Sequence, residues 1–93
     1  MEKYLVIVQK AKNNYAAYSP DVLGCVATGK TVEATLRNMQ EALEMHLEGL
    51  AELGEEFPVP RDLAHYLQDS EPIAESNDLI TYLQVPTPHL QGV

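Results

Sequence analysis

The sequence predicts an α+β domain: a small mixed sheet of three antiparallel strands plus a fourth, in the order 3-2-1-4, with one long helix on one face. Three observations predict it. An apolar, β-branched run, Tyr4-Leu5-Val6-Ile7-Val8, opens the chain, and two shorter strand-like stretches follow within the first third. From Thr31 the apolar spacing changes from alternation to the steps of three and four of an amphipathic helix. The 93 residues suit one domain and not two independent cores.

The first strand stops at Gln9-Lys10-Ala11-Lys12-Asn13-Asn14, whose paired asparagines suit a hairpin turn. Tyr15-Ala16-Ala17-Tyr18-Ser19 returns as a second strand, ended by Pro20, which has no N–H to give to a ladder. Turn formers at Pro20-Asp21 and Gly24 then lead into a third strand, Cys25-Val26-Ala27-Thr28-Gly29. The helix follows, with Val32, Leu36, Met39, Leu43, Leu47, Leu50 and Leu53 on its apolar side. Thr31 is its expected N-cap, Glu33 suits the positive first turn, and Gly54 is placed to end it in the left-handed conformation. At about 1.5 Å per residue such a helix spans on the order of 30 Å, enough to cross a small sheet. Phe57-Pro58-Val59-Pro60 reads as an extended connector, Asp62 to Leu67 as one short helix, and Leu79 to Val85 as a last strand ended by Pro86. The domain is therefore expected over residues 1–86, with a flexible tail over 87–93.

A strand reached through a long helix is expected to join in parallel by a right-handed crossover, beside the first strand. One face of the sheet then takes the helix. The first strand is apolar on both faces, so the second face is expected to need a second copy of the chain, as a dimer or tetramer.

Charge narrows the function. With 14 acidic residues against 6 basic ones the formal charge is −8, which argues against wrapping nucleic acid and favours basic partners. No apolar stretch approaches the roughly 20 residues of a membrane helix, and the N-terminal run is too short for a signal-peptide core. The single cysteine, Cys25, cannot form an internal disulfide, and cytoplasm is the expected compartment.

Convergent reactive groups are scarce. The first strand carries no inward carboxylate for a two-metal site, and Val6 stands at its middle. His46 has Ala42 and Leu50 one turn away, which excludes a His-x-x-x-His pair and makes it a boundary residue of the packed face. His65 and His89 lack partners at ligand spacing and read as solvated, while Cys25 reads as a small packed residue. Gly29-Lys30-Thr31 resembles the end of a phosphate loop only superficially, because Cys25 to Gly29 before it reads as a strand and not as a loop. A degenerate hydrolase using Asp21 and His46 on a divalent metal is a less favoured alternative, and no cofactor is expected. Tyr15, Tyr18 and Tyr82 suit either a partner-binding surface or ordinary cross-strand packing.

The run Tyr15-Ala16-Ala17-Tyr18-Ser19-Pro20-Asp21-Val22-Leu23-Gly24-Cys25-Val26-Ala27-Thr28-Gly29-Lys30-Thr31-Val32-Glu33 resembles the N-terminal domain of HicB-family bacterial antitoxins. The likeness continues through Leu36 to Glu44, through Leu47-Glu48 and Gly54-Glu55, and loosely to Tyr82-Leu83-Gln84-Val85-Pro86. It implies a partial ribonuclease H-like fold without catalysis, which binds and occludes a small basic HicA toxin that cleaves mRNA. Family members often carry a C-terminal DNA-binding segment; none is evident after Val85, and no direct nucleic-acid binding is expected. Residues 61–75 look like an insertion. Where the family has a carboxylate, Ala34 leaves Thr31 without a capping-box partner, a change worth roughly 1 kcal/mol or less.

On this reading the expected partner-contact residues are Tyr15, Tyr18 and Asp21 together with Glu33, Glu41, Glu44 and Glu48 of the helix. The alternative is an orphan HicB-like homo-oligomeric binding module without a toxin.

Overall fold

The computed structural model describes residues 1–68, 72–75 and 77–88. Its elements are β1 (Glu2–Lys10), β2 (Tyr15–Ser19), β3 (Val22–Gly29), α1 (Val32–Leu53), α2 (Leu63–Leu67) and β4 (Leu79–Val85). The sheet order is β3-β2-β1-β4, as expected. The short helix falls inside the expected stretch Asp62 to Leu67. His89 and most of the expected tail lie outside the described residues.

The direction of β4 corrects the expectation of a mixed sheet. It pairs antiparallel with β1, from Val8↔Leu79 to Glu2↔Val85, so all neighbouring strands are antiparallel. The parallel-crossover rule assumes that the chain re-enters the sheet where the helix ends. Here it makes another traverse first. The Tyr4 hydroxyl donates to Pro58 O at 2.9 Å near the start of β1, and the Gln9 side chain meets Asp78 at 3.5 Å near its end. The connector has thus run the length of β1 before β4 begins.

That traverse also corrects the expectation that the second face needs a second copy. Tyr4, Val6 and Val8 point to α1 and share the core with Ala17, Val22, Cys25, Met39, Leu43, Leu47 and Val85. By alternation Leu5 and Ile7 point the other way, yet both are fully buried. Their register partners Tyr82 and Tyr18 hold the connector over them: Leu63 N–H donates to the Tyr82 hydroxyl at 2.9 Å, and the Tyr18 hydroxyl donates to Ile73 O. The described residues of the stretch that read as an insertion, 61–68 and 72–75, form a strap on the second face.

Helix α1 has the expected ends. The Thr31 hydroxyl accepts Ala34 N–H at 3.0 Å. At the other end Gly54 has φ 69°, Gly54 N–H donates to Ala51 O and Glu55 N–H to Leu50 O, a Schellman closure. The buried line is Thr35, Met39, Leu43, Leu47 and Ala51, a strict i+4 row. Such a row is inclined about 26° to the helix axis, so the packed stripe winds off the side that mixed steps of three and four would mark. Leu53, placed on the apolar side by spacing alone, is 72% exposed because that row has turned away from it.

Gly29 is required by close approach. A Cβ there would sit 2.7 Å from Thr35 N and from Thr35 Oγ1, where the end of β3 meets the first turn of α1.

Candidate functional site

The outward side of α1 is mainly acidic, with Arg37 the exposed cation between Glu33 and Glu41. Glu33, Glu41, Glu48 and Glu52 are exposed, and Glu55 and Glu56 extend the charge beyond Gly54. Glu44 is half-buried and accepts from Gln40 Nε2 at 3.0 Å, while the same amide donates to Gln84 O at 2.7 Å. Glu44 therefore lies at the β4 flank of the helix, fixed through Gln40.

This charge pattern works against the helix itself. Glu44, Glu48 and Glu52 follow at i+4, where like charges each cost a few tenths of a kcal/mol, on the order of 0.2–0.5. The last turn has no basic residue to complement the negative end of the helix dipole. A row of carboxylates placed against local helix energetics would be relieved by a cationic partner.

The other expected contact residues are engaged internally. Tyr15 is half-buried against the core, and Tyr18 tethers the strap through Ile73 O. The Asp21 carboxylate accepts Arg61 N–H at 2.8 Å and the Tyr66 hydroxyl. The seven residues therefore separate into the glutamates on α1, Tyr15 against the core, and Tyr18 and Asp21 fastening the connector. Burial, more than the nearby Asp78, pushes the Tyr18 phenol above its ordinary range. The Tyr4 phenol is pushed up by burial first and by Glu2 and Asp21 after it.

Tyr66 and Leu63, which complete the strap's anchorage, carry no pattern that sequence reasoning could have used, since their partners are 45 and 19 residues away. His46 is half-buried at the edge of the packed row, as its spacing implied, and His65 is exposed with its ring edge-on to Tyr66. Cys25 is buried, and burial pushes its thiol upward, away from nucleophilic use. Among the described residues no three His, Cys, Asp or Glu side chains gather as a metal site. Also among them, no helix is long and apolar enough to cross a membrane.

Apart from Arg37, positive charge sits away from this face. Lys12 and Lys30 line an open concavity of about 610 Å³ with Asn13, Asn14 and Thr28, between the β1–β2 turn and the start of α1. The chain is thus electrically polar, with lysines at the hairpin end and glutamates along the helix.

Comparison with known proteins agrees with this architecture. The family model described as HicB_like antitoxin of bacterial toxin-antitoxin system matches residues 4–85. An uncharacterised 14.9 kDa protein of Haemophilus phage HP1 is 30% identical over 89 residues, covering 96% of this chain and 65% of the phage protein. The chain thus spans slightly less than two thirds of that relative. The N-terminal domain of Burkholderia pseudomallei antitoxin HicB superimposes with a TM-score of 0.73 at 23% identity, over 91% of this chain and 99% of that one. A chain of the HicA3 and HicB3 toxin-antitoxin complex does so with a TM-score of 0.71 at 26% identity, over 91% and 99%. The fold, the α1 caps and a family match over almost the whole described sheet lead to one conclusion: this chain belongs to the HicB-like antitoxin family of bacterial toxin–antitoxin systems.

Proposed function

We propose that this protein is a non-catalytic antitoxin that binds a small basic HicA-type toxin in the bacterial cytoplasm and blocks its cleavage of mRNA by occlusion. The observation that carries the reading is the acidic face of α1, where Glu41, Glu48 and Glu52 are exposed and where Glu44, Glu48 and Glu52 follow at a spacing unfavourable for the helix alone. The family match and the likeness to a chain of a toxin–antitoxin complex support it. Occlusion requires no reactive group on the antitoxin, and the buried Cys25 and the internally bonded Asp21 are consistent with that.

Co-expression with a HicA-type toxin, sought first among the neighbouring genes, is the test. The expected results are rescue of growth, a complex that co-purifies at micromolar concentration, and an affinity that falls as salt rises. Charge reversal at Glu41 and Glu48 together should weaken the complex while leaving the fold intact. Failure to form the complex would leave the orphan reading, and magnesium- or manganese-dependent nuclease activity sensitive to Asp21→Ala would establish the hydrolase reading instead.

A further inference from the structure

We propose that the crest of α1 opposite the core, the i+4 row Met45, Gly49 and Leu53, is a notch that receives one amphipathic helix of a cationic partner, crossing at Gly49. That the partner is a toxin rests on the function proposed above; the notch is a finer feature of the same face. The buried row of α1 includes Leu43, Leu47 and Ala51. A shift of two residues turns the helix by about 200°, so Met45, Gly49 and Leu53 run along the opposite side. There Met45 is 71% exposed and Leu53 72%.

Gly49 has no part in holding the fold. It lies inside α1 without the positive φ of Gly24 and Gly54, and a Cβ added to it would meet nothing within 4 Å. Glycine is the poorest helix former after proline, so alanine would fit there and favour the helix. The missing side chain leaves a gap between two exposed apolar ones, over about 12 Å of helix axis. Packed helices seat the ridge of one in the groove of the other, at about 8–10 Å between axes depending on the side chains at the contact. A glycine at the crossing point permits the closest approach. Single exposed apolar residues are ordinary, but a large-small-large row on the face away from the core has the form of a contact surface.

Charge selects the occupant. Glu48 and Glu52 are exposed along one side of the crest, and Ala42, His46 and Leu50, all half-buried, lie along the other. Towards the start of the helix Arg37 stands one turn from both Glu33 and Glu41 and offsets them, whereas no lysine or arginine stands one turn from Glu48 or Glu52. Uncompensated negative charge is thus densest beside the notch. The complement is a helix whose apolar stripe is bordered on one side by lysine or arginine. A second copy would set its own Glu48 and Glu52 against this face, with like charges opposed.

The experiment measures binding of full-chain variants to the purified toxin, with association and dissociation rates at low and high salt, after circular dichroism has shown each variant to be folded. Gly49→Ala should raise the melting temperature. Gly49→Leu puts a good helix former in open space and should keep the fold, yet fill the notch and weaken the complex by about tenfold or more through faster dissociation. Met45→Gln with Leu53→Gln should act in the same direction and leave the salt dependence unchanged, whereas Glu48→Gln with Glu52→Gln should slow association and flatten it. Unimpaired binding by folded Gly49→Leu would overturn the notch; a complex that charge reversal at Glu41 and Glu48 still weakens would in that case uphold the antitoxin reading. Should Gly49→Leu not fold, the Met45→Gln, Leu53→Gln variant decides in the same way. If the unaltered chain forms no complex with the toxin, the antitoxin reading fails, and a synthetic helical peptide of leucine and lysine tests the notch by itself. The amide resonances of Gly49 and Leu53 must then shift with the peptide in the unaltered chain, and the shift at Leu53 must be lost in Gly49→Leu. Shifts centred elsewhere, or crest resonances that move with chain concentration alone and so mark a second copy, would overturn the proposal.

Discussion

Asp21 and Arg61 stand 40 residues apart, and the Asp21 carboxylate accepts Arg61's backbone N–H at 2.8 Å. This contact fixes the point where the connector turns from the end of α1 onto the second face. The same carboxylate accepts the Tyr66 hydroxyl, so one side chain of the β2–β3 turn holds both the entry and the body of α2. α2 has no buried residue of its own. Its position depends on such ties rather than on a core.

Replacing Asp21 by Ala should therefore loosen the strap without unfolding the domain. We expect a loss of about 1 kcal/mol, within the range for hydrogen bonds at a partly exposed carboxylate. Hydrogen exchange should accelerate over residues 61–67 and leave the middle of α1 unchanged. Equal acceleration in both would show that the strap and the core open as one unit.

Gly29→Ala should be more damaging than a glycine-to-alanine change on the surface. The added methyl would meet backbone as well as the Thr35 hydroxyl at 2.7 Å, so neither β3 nor the first turn of α1 can yield without moving the other. Overpacking of this kind costs typically about 1–3 kcal/mol. Denaturant melts should show that loss.

The two leucines Leu43 and Leu53 test the oblique contact row directly. Leu43 is fully buried, and Leu43→Ala should cost about 2–5 kcal/mol. Leu53→Ala, at an exposed position, should stay within about 0.5 kcal/mol. Thermal melts of the pair would separate the i+4 row from the mixed steps of three and four that the sequence suggests.

Alkaline pH should destabilise the fold through Tyr4 and Tyr18. Burial raises both phenols in the folded state above the ordinary value near 10, so the folded chain binds the proton more tightly than the unfolded one. Their contribution is fully present below the unfolded value and is lost as pH rises through the folded values. Stability should then be insensitive to these groups at neutral pH and decline above about pH 10. Phenolate absorbance, followed alongside unfolding, should show a late component that shrinks in Tyr18→Phe.

The elements were legible because each carries a local signal: the β-branched run of β1, Thr31 and Gly54 at the ends of α1, Pro86 after β4. The strand order was legible too. The direction of β4 was not, because it depends on where the connector goes after Gly54, and that path is set by single hydrogen bonds in which Tyr4 and Tyr18 donate to distant carbonyls and Asp21 and Tyr82 accept from distant N–H groups. No periodicity records such bonds. For the candidate site, the glutamates of α1 were readable from helical spacing, whereas Tyr18 and Asp21 were named as contact residues without a signal for their internal ties. Polar residues near turns look alike in sequence whether they face solvent or fasten a loop.

The antiparallel return of β4 brings Val85 beside Glu2, so the chain enters and leaves the sheet at one corner, with the Asn13-Asn14 turn at the other end of β1. A short linker could join those two points, and new termini could be opened at the exposed asparagines. In such a circular permutant the strands that now close the sheet from opposite ends of the sequence would become a local hairpin. The loop-closure cost of the β1–β4 pairing would fall and that of the β1–β2 pairing, then spanning the whole chain, would rise, so the change in folding rate reports which of the two pairings forms first while the packed core stays the same.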